Sequence, residues 1–193
     1  MGIDRIQEMD IAELKAELET LHSASFGWAL SCCRRDRAQA EEVLQTVYLK
    51  ILEGKACFRG EASLKTWLFA VIRKTAIGEH RKNILRTLRW SDASEQAELV
   101  SPLEQPGAAF EKSETLALFQ DALKSLPRRQ REALHLVFYQ DLSLNEAAVV
   151  MGISIGSARQ HYDRGKKRLR KFLGQTESAH GINWRRKENP GAV

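Results

Sequence analysis

The stretch Leu142-Ser143-Leu144-Asn145-Glu146-Ala147-Ala148-Val149-Val150-Met151-Gly152-Ile153-Ser154-Ile155-Gly156-Ser157-Ala158-Arg159 carries the clearest structural instructions in the chain. Ser143 followed three residues later by Glu146 is a capping box, in which serine and glutamate each satisfy a backbone N–H of the other. A short helix over 144–151 should start there. Gly152 should end it, because glycine takes the left-handed conformation of a C-cap without steric cost. Ser154 then caps a second, longer helix running to about Leu173. Ala147 and Ala148 are small enough to let the two helices approach, and Ile153 fills the gap between them. Short helix, tight turn and longer helix make a helix-turn-helix.

The longer helix is two-faced. Ile155, Ala158, Tyr162, Gly165, Leu169 and Phe172 recur at three and four residues and form an inward stripe. Gln160, Asp163, Arg164, Lys167 and Lys171 lie on the opposite side, with Arg159 at the edge. An outward basic stripe on such a helix suits the major groove. Arg159 and Arg164 can each pair with guanine through two hydrogen bonds, and Gln160 with adenine. Lys166, Lys167, Arg168, Arg170 and Lys171 suit phosphates and would set the salt dependence. A basic stripe alone would more often be a solvated helix face; the cap, the glycine turn and the two-faced pattern together favour DNA.

Upstream, Leu116, Leu118, Phe119, Ala122, Leu123 and Leu126 give a helical pattern that Pro127 interrupts, and another helix is expected over 131–139. Residues 91–113 hold Ser, Glu, Gln, Ala, two Pro and a Gly with little periodicity, and are predicted to be an acidic, flexible linker. No proline occurs before it. Ile11, Leu14, Leu18 and Leu21 mark one helix. Asp36 is a good N-cap for another, with Ala40, Val43, Leu44, Val47 and Ile51 on one side and Gly54 at its end. Residues 55–62 read as a loop. Ser63 can cap a third helix with the stripe Leu64, Trp67, Leu68, Val71 and Ile72. The predicted fold is all-α: a helical domain over 1–90, the linker over 91–113, a helix-turn-helix domain over 114–173, and a disordered basic tail over 174–193.

Charge follows the same division. The net charge is about +3 over residues 1–90, about −5 over 91–118 and about +6 over 119–173, within a total of +5. Two basic blocks joined by an acidic one suit two polyanion-facing domains. The three cysteines, Cys32, Cys33 and Cys57, form no CxxC pair and suit a reducing compartment. They fit small buried hydrophobes or free thiols better than a metal or redox site with His22, and no metal site is assigned. The first ten residues lack the apolar core of a signal peptide, and no run of eighteen apolar residues occurs, so a cytoplasmic protein is expected. No catalytic His/Asp/Ser or Cys/His set, glycine-rich phosphate loop or metal-ligand spacing is evident. An enzyme is therefore not expected, and neither a cofactor nor a small-molecule substrate is assigned.

Several segments resemble a known family. Leu123-Lys124-Ser125-Leu126-Pro127-Arg128-Arg129-Gln130-Arg131-Glu132, Leu142–Ala148, Gly152–Arg159 and the basic end Lys166-Lys167-Arg168-Leu169 are similar to region 4 of bacterial sigma factors. Ala40-Glu41-Glu42-Val43-Leu44-Gln45-Thr46-Val47-Tyr48-Leu49 is similar to the polymerase-binding helix of region 2. Phe58-Arg59-Gly60 and Lys65-Thr66-Trp67-Leu68-Phe69-Ala70-Val71-Ile72-Arg73 are similar to its promoter-melting segment. The short length and missing middle domain resemble the extracytoplasmic-function (ECF) group of sigma-70 factors. Lys74 stands where that family usually has Asn, and Gly78 and Glu79 where an Asp is common.

The resemblance implies a transcription initiation factor whose partners are core RNA polymerase, through a coiled coil of its largest subunit and its flap, and promoter DNA. It also implies an anti-sigma factor, often membrane-anchored. Candidate polymerase contacts are Glu41, Glu42, Leu44, Gln45 and Leu49, although Leu44 equally fits the core and the two glutamates a solvated face. Candidate −10 contacts are Phe58, Arg59, Lys65, Arg73, Lys74, Arg81 and Lys82; Trp67 fits core packing or base stacking. Candidate −35 contacts are Ser157, Arg159, Gln160, Arg164 and Lys167. A helix-turn-helix regulator of another kind, such as a response-regulator output domain, would explain 120–173 but leave 40–82 without a role.

Overall fold

Local signals set the helices. Leu14, Leu18 and their neighbours form α1 (Ile11–Thr20), and Leu21 leads directly into α2 (His22–Cys32). Asp36 caps α3 (Arg37–Leu52) by accepting the N–H of Gln39 at 3.0 Å, and Gly54, at φ +68°, follows its end. Ser63 accepts the N–H of Thr66 at 3.2 Å at the head of α4 (Leu64–Ser91). Pro127 starts α5 (Arg128–Phe138), α6 spans Leu144–Met151 and α7 spans Ile155–His180. The computed structural model describes residues 11–91, 122–123 and 125–180. Ser91, the expected first residue of the linker, ends α4, and the rest of the expected linker (92–113), the pattern Leu116–Phe119 and most of the basic tail lie outside the described residues. Helix α7 continues past the Leu173 expected from the sequence, so the start of that tail, as far as His180, is helical.

Helices α2, α3 and α4 form the first unit around Trp28. Its indole is fully buried, donates to the Phe69 carbonyl at 3.0 Å and stacks on the Phe69 ring at 6.0 Å. Ala40, Val43, Leu44, Val47 and Ile51, the expected stripe of α3, all enter this core with Leu68 and Ile72 of α4. In the second unit α5, α6 and α7 pack together through Leu134, Leu136, Ala147, Ala148 and Ala158. Gly165 lets α7 close on α5: a Cβ there would lie 3.0 Å from Leu134 Cδ1 and 3.3 Å from the Gln130 carbonyl oxygen.

The two units share one core, which the sequence pattern does not indicate. Helix α6 packs on α4, and α5 on α2. Arg73 pairs with Glu132 at 3.1 Å, Lys65 donates to the Gln140 carbonyl at 2.6 Å, and the Thr66 hydroxyl donates to Glu146 at 3.2 Å. His135 lies over Trp28, ring centroids 5.4 Å apart.

Loss of solvent pushes the His135 pKa down from 6.5 to about 4, and Arg35 adds to the shift. Between those values the unfolded chain takes up a proton that the folded chain refuses. Stability is therefore full above pH 6.5 and falls as pH drops toward 4, by as much as about 1.4 kcal/mol per pH unit. Urea unfolding at pH 7.5, 6 and 5 should show this fall in the wild type and a flatter profile in His135→Gln. Parallel profiles would remove His135 as the cause.

Candidate nucleic-acid interface

The helix-turn-helix forms as its caps require. The Ser143 N–H donates to Glu146 Oε2 at 2.9 Å and the Glu146 N–H donates to Ser143 Oγ at 3.2 Å. These bonds, chiefly the backbone N–H of Ser143, hold the Glu146 carboxyl below its ordinary range. Gly152 sits at φ 61°, ψ 45°, the left-handed conformation expected of it. Ser154 accepts the N–H of Ser157 at 3.2 Å and donates to the Ser157 hydroxyl at 2.9 Å. One candidate hydroxyl, that of Ser157, is thereby engaged in capping α7.

The outer face of α7 is basic and open. Gln160, Arg164 and Lys167, spaced by four and three residues, are exposed on one line, with Arg159 exposed beside them. Ala158 is fully buried on the opposite side and Tyr162 is half-buried, stacked on Phe138 at 5.6 Å, with the Lys166 ammonium 5.1 Å from the Tyr162 ring centre. Ile155 departs from the expected inward stripe: it is 48% exposed. It occupies the first position of α7, where no preceding turn exists to cover it. Val149 on α6 is exposed next to it, and the two line a shallow apolar depression with Asn145 and Ile153.

The seven −10 candidates do not share one surface. Phe58 in the loop packs on Trp67, centroids 5.5 Å apart, and both rings are half-buried; Trp67 is neither deep core nor a free stacking platform. Arg59 is exposed. Lys74, Arg81 and Lys82 are exposed along α4, with Lys82 paired to Glu79 at 2.8 Å. Lys65 and Arg73, eight residues apart and thus on one face, turn toward the second unit instead. The Arg73 side chain is only 11% exposed.

Among the five polymerase candidates, Glu41, Leu44, Gln45 and Leu49 line one groove between α2 and α3, together with Phe26 and Leu52. Leu44 is 3% exposed and forms the groove floor as part of the core, whereas Leu49 is 50% exposed at its rim. Arg37 pairs with Glu41 at 2.9 Å and covers the Phe26 ring. Glu42 stands apart from this group. The Cys33 thiol is pushed up to about 11, mainly by burial and further by the negative charges of Asp36 and Glu42.

Sequence reading did not find Trp28, Glu132, His135 or Gln140 as junction residues. Glu132 was visible only as a carboxylate inside the basic run Arg128-Arg129-Gln130-Arg131.

These faces define the class: an all-helical, two-unit DNA-binding protein whose second unit is a helix-turn-helix. Residues 18–84 match the family model "Sigma-70 region 2", and residues 122–171 match "Sigma-70, region 4". The ECF RNA polymerase sigma factor SigX of Bacillus subtilis is 30% identical over 145 residues, 72% of this chain and 73% of SigX. The ECF RNA polymerase sigma factor EcfG of Rhodopseudomonas palustris is 31% identical over 137 residues, 70% of this chain and 71% of EcfG. The sigma factor RpoE of Bartonella quintana, solved in complex with the anti-sigma factor NepR, superposes with a TM-score of 0.64 at 26% identity, over 85% of this chain and 98% of that one. The chain belongs to the ECF group of RNA polymerase sigma factors. It acts in transcription initiation, directing polymerase to promoters, and is not an enzyme.

Gly152 in the turn and Gly156 in the first turn of α7 should respond oppositely to alanine. At Gly152 nothing lies within 4 Å of an added Cβ, so Gly152→Ala costs only the left-handed backbone, about 1–2 kcal/mol. Gly156 has the same free space and no positive φ, so Gly156→Ala should stabilise by up to about 1 kcal/mol through helix propensity. Urea midpoints of the two variants check this, and equal shifts of one sign would contradict it.

Proposed function

We propose that the chain loads onto core polymerase through the α2–α3 groove and reads the −35 element with Arg159, Gln160, Arg164 and Lys167 of α7. The groove offers an apolar floor, Phe26 and Leu44, with Leu49 and Leu52 at the rim and Glu41 and Gln45 beside them, which suits an amphipathic helical partner. Polymerase's largest-subunit coiled coil is such a partner. Ser157, its hydroxyl already held by Ser154, contributes through its position at the head of α7. The observation that carries the reading is the open line Gln160–Arg164–Lys167 on a capped recognition helix.

The −10 strand is assigned to the first unit: Phe58 and Arg59 in the loop, and Lys65, Arg73, Lys74, Arg81 and Lys82 on α4. Extruding a base costs a few kcal/mol, which cation contacts to the backbone and a fitted pocket offset. An anti-sigma factor is the proposed regulator, supported by the RpoE–NepR complex. A cytoplasmic location is proposed on the same grounds; among the described residues no helix is long and apolar enough to cross a membrane.

Run-off transcription on genomic fragments tests the assignment. Defined transcripts should appear only when the chain and core polymerase are both present. Arg164→Ala should lower −35-dependent initiation about tenfold or more, the weight of one good base contact, while leaving co-purification with core polymerase intact. Equal loss of both would contradict the division of roles.

A further inference from the structure

The reading face of α7 carries one charge of the opposite sign. Asp163 lies four residues after Arg159 and four before Lys167, about 40° around the helix from each. Gln160 and Arg164 flank this line, and all five side chains are exposed. The packed side of the same helix is turned away from them: Ala158 is fully buried, and Gly165 closes on Leu134. Asp163 therefore stands within the face offered to DNA, between two of its cations.

Packing and helix electrostatics give this carboxylate no task there. Among the described residues Asp163 makes no ion pair, although Arg159, Lys166 and Lys167 lie three or four positions away. Lys166 leans over the Tyr162 ring instead. Asp163 is also beyond the first turn of α7 (Ile155–His180), where the helix dipole would favour a negative charge. Beside a DNA backbone it is repelled by phosphates whatever the sequence. A hydrogen bond to a base edge is what offsets that repulsion. An ionised carboxylate only accepts. In the major groove guanine shows two acceptors, thymine an acceptor and a methyl group, and adenine an acceptor beside its amino group; cytosine shows its N4 amino donor alone.

We propose that Asp163 is a specificity-determining residue that reads one cytosine of the −35 element by accepting a hydrogen bond from its N4 amino group. The idea rests on the assignment of α7 to the −35 element. It adds a residue that works as much by rejection as by attraction: guanine or thymine at that position sets an acceptor against the carboxylate. Arg159 and Lys167, on either side of it, offset its repulsion from the backbone. Asp163 thus lowers affinity for DNA in general and sharpens the choice among promoters.

Initiation by holoenzyme on a set of altered promoters tests this. Starting from a promoter found by run-off transcription, each base pair of the −35 region is replaced in turn by the other three. With the wild-type chain, one position should require cytosine, and the other three bases should each lower initiation about fivefold or more. Holoenzyme carrying Asp163→Ala should accept all four bases at that position within about twofold, with the wild-type preferences kept elsewhere. Asp163→Asn should move the preference at the same position to adenine, whose N6 and N7 an amide matches. If Asp163→Ala alters no preference, or changes initiation from every promoter by the same factor, the proposal is overturned and the carboxylate is a solvated helix charge. Arg164→Ala on the same promoters separates this failure from that of the reading beneath it. A base preference lost in Arg164→Ala but in neither Asp163 variant removes Asp163 alone. Preferences unchanged in all three variants remove α7 from the −35 element as well.

Discussion

Glu132 lies almost wholly out of water, and a carboxylate in that position must be met by positive charge. Left alone it would cost several kcal/mol. Arg128 on its own helix supplies one partner, and Arg73, 59 residues earlier in the chain, supplies the other. The second partner constrains the architecture. It brings α5 to α4, and with that approach Gln140 meets Lys65, Glu146 meets Thr66, and His135 settles on Trp28. A buried pair of this kind contributes little net stability over an apolar contact of the same shape, yet breaking one partner away costs about 3–5 kcal/mol. Its effect is therefore on arrangement more than on overall stability. It selects one docking of the two units along their shared core.

Function follows from how charge is distributed over the faces that this docking leaves open or covers. The outer line of α7, Gln160, Arg164 and Lys167, remains in solvent. The α2–α3 groove is apolar at its floor and carries Leu49 and Leu52 at its rim beside Glu41 and Gln45, a mixture that suits a surface for another protein. The face of α4 that carries Lys65 and Arg73 is covered. A sigma factor must bind a large protein, read a duplex and hold a melted strand. In this arrangement the α2–α3 groove and the outer line of α7 are open, and the Lys65–Arg73 face of α4 is packed against the second unit.

Much of this was legible in the sequence because the signals were local. The capping box at Ser143 and Glu146, the left-handed turn at Gly152, the N-cap at Asp36 and the stripe Ala40–Ile51 each involve residues within a few positions of one another, and each formed as expected. The line Gln160–Arg164–Lys167 was legible for the same reason. Ile155 was misplaced because periodicity assigns a face but does not register that the first turn of a helix has nothing packed before it. The junction was not legible at all. Glu132 sits among arginines and reads as an ordinary helix surface, Lys65 and Arg73 read as free cations, and His135 shows no pattern pointing to Trp28. Nothing local marks a pair made across 59 residues. Leu44 shows a subtler limit: by sequence it suits the core or a partner, and in the structure it belongs to the core while flooring the groove.

Polymerase should open promoter DNA only under the direction of this chain. Permanganate footprinting of unpaired thymines on a promoter fragment measures that opening directly. Reactive thymines should appear around the −10 element when the chain and core polymerase are mixed, and with neither component alone. A fragment that stays fully paired in the mixture, although the chain binds it as duplex without polymerase, would contradict the account and leave an ordinary helix-turn-helix repressor or activator in its place.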